Sequence, residues 1–165
     1  MRLILLMSSA GPTIPTDVEV RQALPSDAAA IHALMRPYVA QRLLLERSEA
    51  EIIELTRHGF VAIKPLANQA ADDSPNEICI GFAAIEIYSA KLAELQCLAV
   101  HHDYHGVGIG RKLVELCIQR ARDLNVMEIL AISSSEGFLQ SCGFDYALPD
   151  QKKALFCQLR PRRHE

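Results

Sequence analysis

The chain has 165 residues, of which 50% are hydrophobic and 22% are charged, a balance typical of one soluble globular domain. The net charge of −3 and the aromatic content of 5% argue against nucleic acid as a partner, because they supply neither a basic field nor a stacking platform. No apolar run approaches membrane-spanning length, and the run over residues 3–7 is shorter than a signal-peptide core. We therefore expect a cytoplasmic protein with an irregular arm over residues 1–16 and one domain over residues 17–165.

The cysteine pattern indicates free thiols. There are five cysteines, an odd number without a C-x-x-C pair: Cys79, Cys97, Cys117, Cys142 and Cys157. Most of them occupy apolar positions of predicted helices or strands, which is typical of buried thiols in a reducing compartment. A nucleophilic Cys97 is the alternative, but the sequence places no base beside it, so we expect a buried thiol.

Hydrophobic periodicity and turn residues predict the element order βααβββαβαβ, followed by a last strand. The predicted strands cover residues 17–23, 60–64, 77–88, 91–100 and 128–133, with further strands starting at 143–144 and covering 154–158. A short turn separates the third strand from the fourth, so these two are expected to form a hairpin. A short helix is predicted to end over residues 138–142, and a polar surface loop is predicted over residues 65–76.

Capping signals define the first two helices. The first helix opens at residues 25–27, and Pro37 is expected to kink or stop it. Ser48 and Glu51 form a capping box for the second helix. Gly59 is expected to end that helix.

Residues 94–111 organise the chain, because a strand, a glycine loop and a helix follow one another there. The loop has three glycines in five residues: Gly106, Gly108 and Gly110. A helix N-terminus offers unpaired N–H groups and the positive end of its dipole, and glycines let a phosphate approach the backbone. Arg111 adds a positive charge, so the loop is predicted to bind a pyrophosphate.

The spacing of this loop differs from the dinucleotide and P-loop fingerprints. It resembles the acetyl-coenzyme A loop of the GCN5-related N-acetyltransferases, [Gln/Arg]-x-x-Gly-x-[Gly/Ala], with His105 where the family has Arg or Gln. The resemblance implies an α/β (α+β) fold, with a mixed central sheet flanked by helices and two neighbouring strands that splay apart around the thioester. It also implies acetyl-coenzyme A as co-substrate. The residues implied in binding it are Leu98, Ala99, Val100, His105, Gly106, Val107, Gly108, Ile109, Gly110 and Arg111.

Four segments resemble one branch of this family, the N-acetylglutamate synthases. These segments are residues 43–48, 94–104, 143–144 and 148–160. The resemblance implies acetyl transfer to the α-amine of an amino acid, with L-glutamate favoured, and a place in arginine biosynthesis. The bacterial synthases commonly carry an N-terminal amino-acid-kinase-like domain that senses arginine, and we expect this chain to lack it. A homodimer stays open, because proteins of this fold often pair.

Acetyl transfer to an amine needs a base for the ammonium, a polarised thioester carbonyl and support for the leaving thiolate. The resemblance favours Glu94 as the base over an ordinary glutamate at a strand end. Ser133 is the candidate to support the leaving sulfur, since Leu139 stands where the wider family has a tyrosine. The alternative is that the serine run only caps the following helix, through Ser134 or Ser135.

Two arginines, Arg47 and Arg160, are predicted to bind the acceptor. Glutamate has two carboxylates, and an arginine fork matches the geometry of a carboxylate. Leu45 and Cys97 are assigned to the same substrate site by the resemblance. The alternative for each arginine is a solvated surface position.

The histidines invite a metal interpretation, which we do not favour. His101 and His102 are adjacent, so they would face opposite ways in an extended chain. No acidic or cysteine partner completes a known spacing, and no metal is expected.

Two other functions stay open. The first keeps the chemistry and takes another amino acid or a small amine as acceptor. The second is a coenzyme A-binding sensor without turnover, which His105 and the missing tyrosine allow.

Overall fold

The structure is a computed structural model that describes residues 12–66 and 77–146. The strands in these ranges are β1 (Glu19–Gln22), β2 (Gly59–Pro65), β3 (Glu77–Ser89), β4 (Leu92–Val100) and β5 (Glu128–Ala131). The α-helices are α1 (Ala28–Ala40), α2 (Glu49–Thr56), α3 (Ile109–Asp123) and α4 (Glu136–Ser141). The chain divides into two compact units between Ser134 and Ser135, and α4 belongs to the second unit.

The five strands form one sheet in the order β1-β2-β3-β4-β5. The first four strands are antiparallel to their neighbours, and β3 and β4 form the predicted hairpin. β5 pairs with β4 in parallel, and α3 provides the crossover connection that a parallel pair requires. The predicted mixed sheet flanked by helices is therefore confirmed.

Helices cover both faces of the sheet. The apolar stripe of α1, including Ile31 and Met35, packs with Ile52 of α2 against a sheet face that contains Phe82. The neighbouring residue, Gly81, points to the opposite face, where a Cβ on it would lie 3.0 Å from a side-chain carbon of Ile109 in α3. The site described below lies on the α1 and α2 side and at the carboxyl end of β4.

The helix boundaries test three sequence signals. The capping box is confirmed: the Ser48 hydroxyl accepts from the Glu51 backbone N–H, and the Glu51 carboxylate accepts from the Ser48 N–H at 2.7 Å. Pro37 does not stop α1, which continues to Ala40. A proline lacks only its own N–H, and the Gln41 N–H still donates to the Pro37 carbonyl at 3.1 Å.

The role predicted for Gly59 is wrong. α2 ends at Thr56, and Gly59 is the first residue of β2. A Cβ at this position would lie 2.9 Å from the Leu55 carbonyl oxygen and 2.9 Å from the Phe82 ring. Glycine is therefore required by the close approach of helix and strand rather than by a helix cap.

Later elements also depart from the predicted boundaries. β5 ends at Ala131, two residues before the predicted end of that strand. Residues 143–146 have no strand, so the strand predicted to start at 143–144 is not formed within the described residues. The strand predicted over 154–158 lies outside them. No helix in the described ranges is both long enough and apolar enough to cross a membrane.

Candidate active site

The strands β4 and β5 separate as predicted. Their parallel pairing begins at Leu92 and Glu128 and ends at Leu95 and Ala131, whereas β4 continues to Val100. On that side of β4, residues 96–100 are therefore left without a paired strand within the described part of the chain. The open edge lies directly before the glycine loop.

The register of β4 fixes which backbone groups face this open edge. The His101 N–H donates to the Ile80 carbonyl of β3 at 2.8 Å. Because strand backbone groups alternate in direction, the N–H and C=O of Ala99 also face β3. The N–H groups of Leu98 and Val100 then face the edge that β5 leaves. Leu98 and Val100 are among the residues that the resemblance assigns to binding of acetyl-coenzyme A.

A bulge interrupts β4 at the start of the open edge. The register with β3 shifts between Phe82 and Ala84, and Cys97 adopts a left-handed conformation with φ of 57°. This backbone conformation is costly for a residue with a Cβ and is typical of sites where function dictates geometry. Beyond the bulge, Ala99 faces the α1 and α2 side, the same side that Gln96 faces before it.

The Cys97 thiol is buried, and burial raises its pKa to about 11. A neighbouring Arg47 guanidinium opposes this rise only in part. The thiol is therefore protonated near neutral pH, which supports the expected buried thiol over the nucleophile.

Glu94 lies on β4 just before the strands separate. It is half-buried and stands opposite Glu86 of β3 on one side and Leu130 of β5 on the other. The Tyr88 hydroxyl donates a hydrogen bond to its carboxylate, and this bond with the nearby negative charge raises the pKa of Tyr88 to about 12. Glu94 is thus held in one orientation by a neutral phenol.

Arg47 reaches the same group of side chains from the segment before α2. Its Nη2 donates to the Gln96 Oε1 at 2.9 Å, and its Nη1 lies 3.5 Å from the Glu51 carboxylate. The Gln96 Nε2 in turn donates to the Glu86 carboxylate at 3.3 Å. The side chain of Arg47 is 20% exposed, and its Nε is buried without a hydrogen-bond partner among the described residues.

A cavity of about 250 Å³ lies between α1 and the segment that carries Arg47. Its lining combines apolar side chains such as Met35 with the charged side chains of Arg36, Glu46 and Arg47. The volume is slightly below the range of roughly 300–1,000 Å³ found for drug-sized ligands, so the cavity suits a molecule the size of an amino acid. Its two arginines favour an anion.

Three of the predicted site residues are not among the side chains described around Arg47 and Glu94, or lie outside the described residues. Leu45 is exposed and its contact with an acceptor stays a prediction. Ser133 is exposed two residues beyond β5, and Ser135 occupies the N-cap of α4 without a side-chain capping bond. Arg160 lies outside the described residues.

The glycine loop has the predicted strand-to-helix geometry. Gly106 and Gly108 have positive φ values of 78° and 95°, and Gly108 is the N-cap of α3. A Cβ on Gly106 would meet no described atom within 4 Å, whereas one on Gly108 would lie 3.2 Å from the Pro12 carbonyl oxygen. The part of the N-terminal arm that the structure describes therefore passes beside the loop.

The rest of the loop consists of the half-buried Val107, the buried Ile109 at the start of α3, and Gly110 and Arg111 in its first turn. His105, predicted as a phosphate contact, has its Nε2 at 2.6 Å from the Val100 carbonyl oxygen.

Sequence reasoning missed Tyr38 and Gln96. The Tyr38 hydroxyl of α1 donates to the Val100 carbonyl at 2.5 Å. Because His105 contacts the same carbonyl, two side chains fix the backbone at the end of the open edge. The sequence places Tyr38 in the predicted first helix and Gln96 in a predicted strand, without a role in the site. No local sequence signal distinguishes these roles, since both depend on contacts between distant segments.

The His101 and His102 side chains do not face opposite ways, contrary to the prediction. The chain turns into a short 3-10 helix at His102–Tyr104, so the His101 and His102 rings stack at 4.4 Å instead of facing apart. Ligand atoms of His101, His102 and Asp103 lie within 4.8 Å of one another. Asp103 is an exposed carboxylate beside the two histidines, and this run of three adjacent residues is not one of the known metal-ligand spacings. The expectation of no metal stays a prediction.

The fold is that of an acyl-coenzyme A-dependent transferase, and comparison with known proteins agrees. A sequence model of the acetyltransferase (GNAT) family matches residues 29–144. An uncharacterized N-acetyltransferase from Chlorobaculum tepidum is 34% identical over 128 residues, which cover 78% of this chain and 76% of that protein. An amino-acid acetyltransferase from Pasteurella multocida is 28% identical over 81% of this chain and 29% of its own length.

A solved structure agrees as well. N-acetylglutamate synthase from Neisseria gonorrhoeae, complexed with coenzyme A and N-acetyl-glutamate, superposes with a TM-score of 0.60 at 26% identity, over 78% of this chain and 28% of that one. The chain thus spans less than a third of this synthase and of the Pasteurella protein.

The chain belongs to the acetyltransferase (GNAT) family. It is an acetyl-coenzyme A-dependent N-acetyltransferase, and the alternative of a coenzyme A sensor without turnover is not supported.

Proposed function

We propose that the protein transfers the acetyl group of acetyl-coenzyme A to the α-amine of L-glutamate, by direct attack of the amine on the thioester. The observation that carries this proposal is Arg47, whose half-buried side chain lines a cavity with a second arginine, Arg36, and whose buried Nε has no hydrogen-bond partner within the described residues. An arginine in this setting suits a carboxylate, and glutamate supplies two. The Neisseria relative complexed with coenzyme A and N-acetyl-glutamate supports the same acceptor.

Glu94 is the proposed base. Its carboxylate is half-buried and oriented by Tyr88, three residues before the bulged Cys97. Removal of a proton from the acceptor ammonium, directly or through a water molecule, leaves the amine lone pair free to attack the thioester carbon. Attack forms a tetrahedral intermediate, which collapses as the C–S bond breaks and coenzyme A leaves as the thiolate. The second N–H proton that the nitrogen loses neutralises this thiolate, and the proton taken by Glu94 passes to solvent.

The open edge of β4 is proposed to hold the reacting thioester. An N–H group aimed at a carbonyl oxygen stabilises the negative charge that develops there during attack. The amides of Leu98 and Val100 face the open edge, and the loop with Gly106 and Gly108, which is proposed to bind the pyrophosphate, follows β4 in the chain. Ser133 is proposed to donate a hydrogen bond to the leaving sulfur.

The test follows release of free thiol from acetyl-coenzyme A, with L-glutamate compared against a panel of amino acids. Glu94→Gln should lower turnover with glutamate by about 10²- to 10⁴-fold, the usual contribution of a general base. Glu115→Gln, a matched change at an exposed position of α3, should leave turnover unchanged.

The acceptor site has its own matched pair. Arg47→Ala should raise the KM for L-glutamate strongly, because the proposed carboxylate contact is lost. Arg57→Ala removes an arginine whose ion pair with Glu54 at 3.2 Å is exposed on both sides, so the KM should not change. Turnover that does not depend on glutamate, or a KM that is the same in Arg47→Ala, would refute the proposal.

A second acceptor class deserves the same assay, because carboxylates surround Arg47. Glu51 is 3.5 Å from it, and Glu86 is joined to it through Gln96. These charges favour an acceptor with a basic side chain, whose cationic group they would attract, or one with a neutral side chain, which they would not repel. Faster thiol release with such an amino acid than with L-glutamate would support this second function.

A further inference from the structure

We propose that Gln96 is a positioning residue for the acceptor: it holds Arg47 away from Glu86 and so keeps the arginine available for a carboxylate. This inference rests on the proposed role of Arg47 in acceptor binding. No sequence motif indicates Gln96, and the inference gives this residue an effect on which acceptor the enzyme prefers.

The hydrogen bonds of Gln96 define one orientation of its amide. The Oε1 accepts from the Arg47 Nη2 at 2.9 Å, and the Nε2 donates to the Glu86 carboxylate at 3.3 Å. A flipped amide would place N–H groups against the guanidinium and an oxygen against the carboxylate. A neutral side chain with both a donor and an acceptor is therefore what this position requires.

The carboxylates around Arg47 compete for it. Glu51 is 3.5 Å from Nη1, a loose contact for an ion pair, and the Glu51 side chain is 52% exposed. Glu86 lies on the far side of the Gln96 amide, so the amide separates this carboxylate from the guanidinium. Without that separation Arg47 and Glu86 could pair directly, and the pair would leave less positive charge for a ligand.

The unpartnered Nε lies on the edge of the guanidinium that it shares with Nη2. Nε is buried and unpartnered among the described residues, which leaves a polar group whose desolvation is uncompensated there. Nη2 carries two hydrogens, so it can bond to Gln96 and still share a carboxylate with Nε. Gln96 thus fixes the plane of the fork without occupying the whole of it.

Changes at position 96 should alter acceptor binding more than chemistry. Gln96→Ala removes the amide that separates Arg47 from Glu86 and that bonds to the guanidinium. The KM for L-glutamate should therefore rise about tenfold, with kcat and the KM for acetyl-coenzyme A little changed. Gln96→Glu keeps the size of the side chain but gives Arg47 a full ionic partner. Its KM for L-glutamate should rise further, and its preference should move toward acceptors without a side-chain carboxylate.

Gln119 offers the matched control. It is exposed on α3 and donates to Asp123 at 2.8 Å, so it also has a carboxylate partner but lies on a different element. Gln119→Ala and Gln119→Glu should leave the acceptor KM and the acceptor preference unchanged. Thermal unfolding of all four variants checks that each is folded.

The deciding experiment is a double-mutant cycle with Arg47→Ala, in which steady-state kinetics and calorimetric binding of L-glutamate in the presence of coenzyme A are measured. If Gln96 acts through Arg47, Gln96→Ala should have no further effect in the Arg47→Ala background. An equal effect in both backgrounds would show an independent role and overturn the inference, as would a Gln96→Ala variant with wild-type KM. If Arg47→Ala itself leaves glutamate binding unchanged, the proposed function fails first and this inference fails with it.

Discussion

Gly81 in β3 tests whether close packing beneath α3 sets the position of the glycine loop. A Cβ at this residue would lie 3.0 Å from Ile109 Cγ2, 3.0 Å from Leu113 Cδ1 and 3.2 Å from Ala62 Cβ. Carbon atoms in proteins pack best at roughly 3.5–4.0 Å, so Gly81→Ala requires a shift of about half an ångström. All three neighbours are 0% exposed, so none can move into solvent.

The expected cost follows from this crowding. An extra methyl group in a well-packed core destabilises a protein by about 1–3 kcal/mol. For a chain of this size each kcal/mol lowers the melting temperature by roughly 2–4 °C. Since Ile109 is the first residue of α3 and follows Gly108 directly, the loop should move with it. The KM for acetyl-coenzyme A should then rise while the KM for the acceptor changes less.

Urea unfolding followed by circular dichroism measures the first effect, and thiol-release kinetics measure the second. A lower midpoint with an unchanged slope is expected for Gly81→Ala. Gly137→Ala is the control, because a Cβ on Gly137 in α4 would meet no described atom within 4 Å. Alanine favours a helix by up to about 1 kcal/mol over glycine, so this variant should be unchanged or slightly more stable. A Gly81→Ala midpoint equal to that of the wild type would refute the packing argument.

Two further predictions concern a hydroxyl group and a buried thiol. Tyr38→Phe removes one of the two donors to the Val100 carbonyl, so the free energy of unfolding should fall by only about 1 kcal/mol, whereas the KM for acetyl-coenzyme A should rise. Tyr146→Phe is the control and should leave that KM unchanged. An unchanged KM in Tyr38→Phe would show that the open edge of β4 does not bind the co-substrate. Burial raises the pKa of Cys117 from 9.0 to about 12. Between these values the unfolded chain releases a proton that the native state keeps, so the free energy of unfolding should fall from pH 9 to 12 by about 1.4 kcal/mol per pH unit for this thiol. The urea midpoint should therefore decline less over this pH range in Cys117→Ala than in the wild type.

Features of the sequence that are local in origin were predicted well. The Ser48 and Glu51 capping box depends on four consecutive residues, and it formed as expected. The hairpin of β3 and β4 and the parallel return to β5 follow from alternation, a short turn and an intervening helix. The glycine loop followed the same logic, since Gly106 and Gly108 adopt the positive φ values that only glycine adopts readily.

Features that depend on contacts between distant segments were not predicted. The bulge at Cys97 arises from the register of β4 on β3, and nothing in the identity of a cysteine indicates a positive φ. The glycine at position 59 is required by Phe82, a residue from another strand. In an extended chain His101 and His102 would face apart, but a single turn of 3-10 helix brings their rings together.

The bulge also explains why the proposed base and the proposed amides come from one strand. Glu94 lies where β4 is still paired on both sides, so its backbone is fixed by two neighbours. Past the bulge the strand keeps only β3, and the amides of Leu98 and Val100 turn to the open edge. A regular strand would continue to alternate, and Cys97 would then face α3 instead of joining Gln96 on the α1 and α2 side. The extra residue thus separates two parts of β4. A segment paired on both sides positions the carboxylate, and a segment paired only with β3, which begins four residues further on, offers its N–H groups to a ligand.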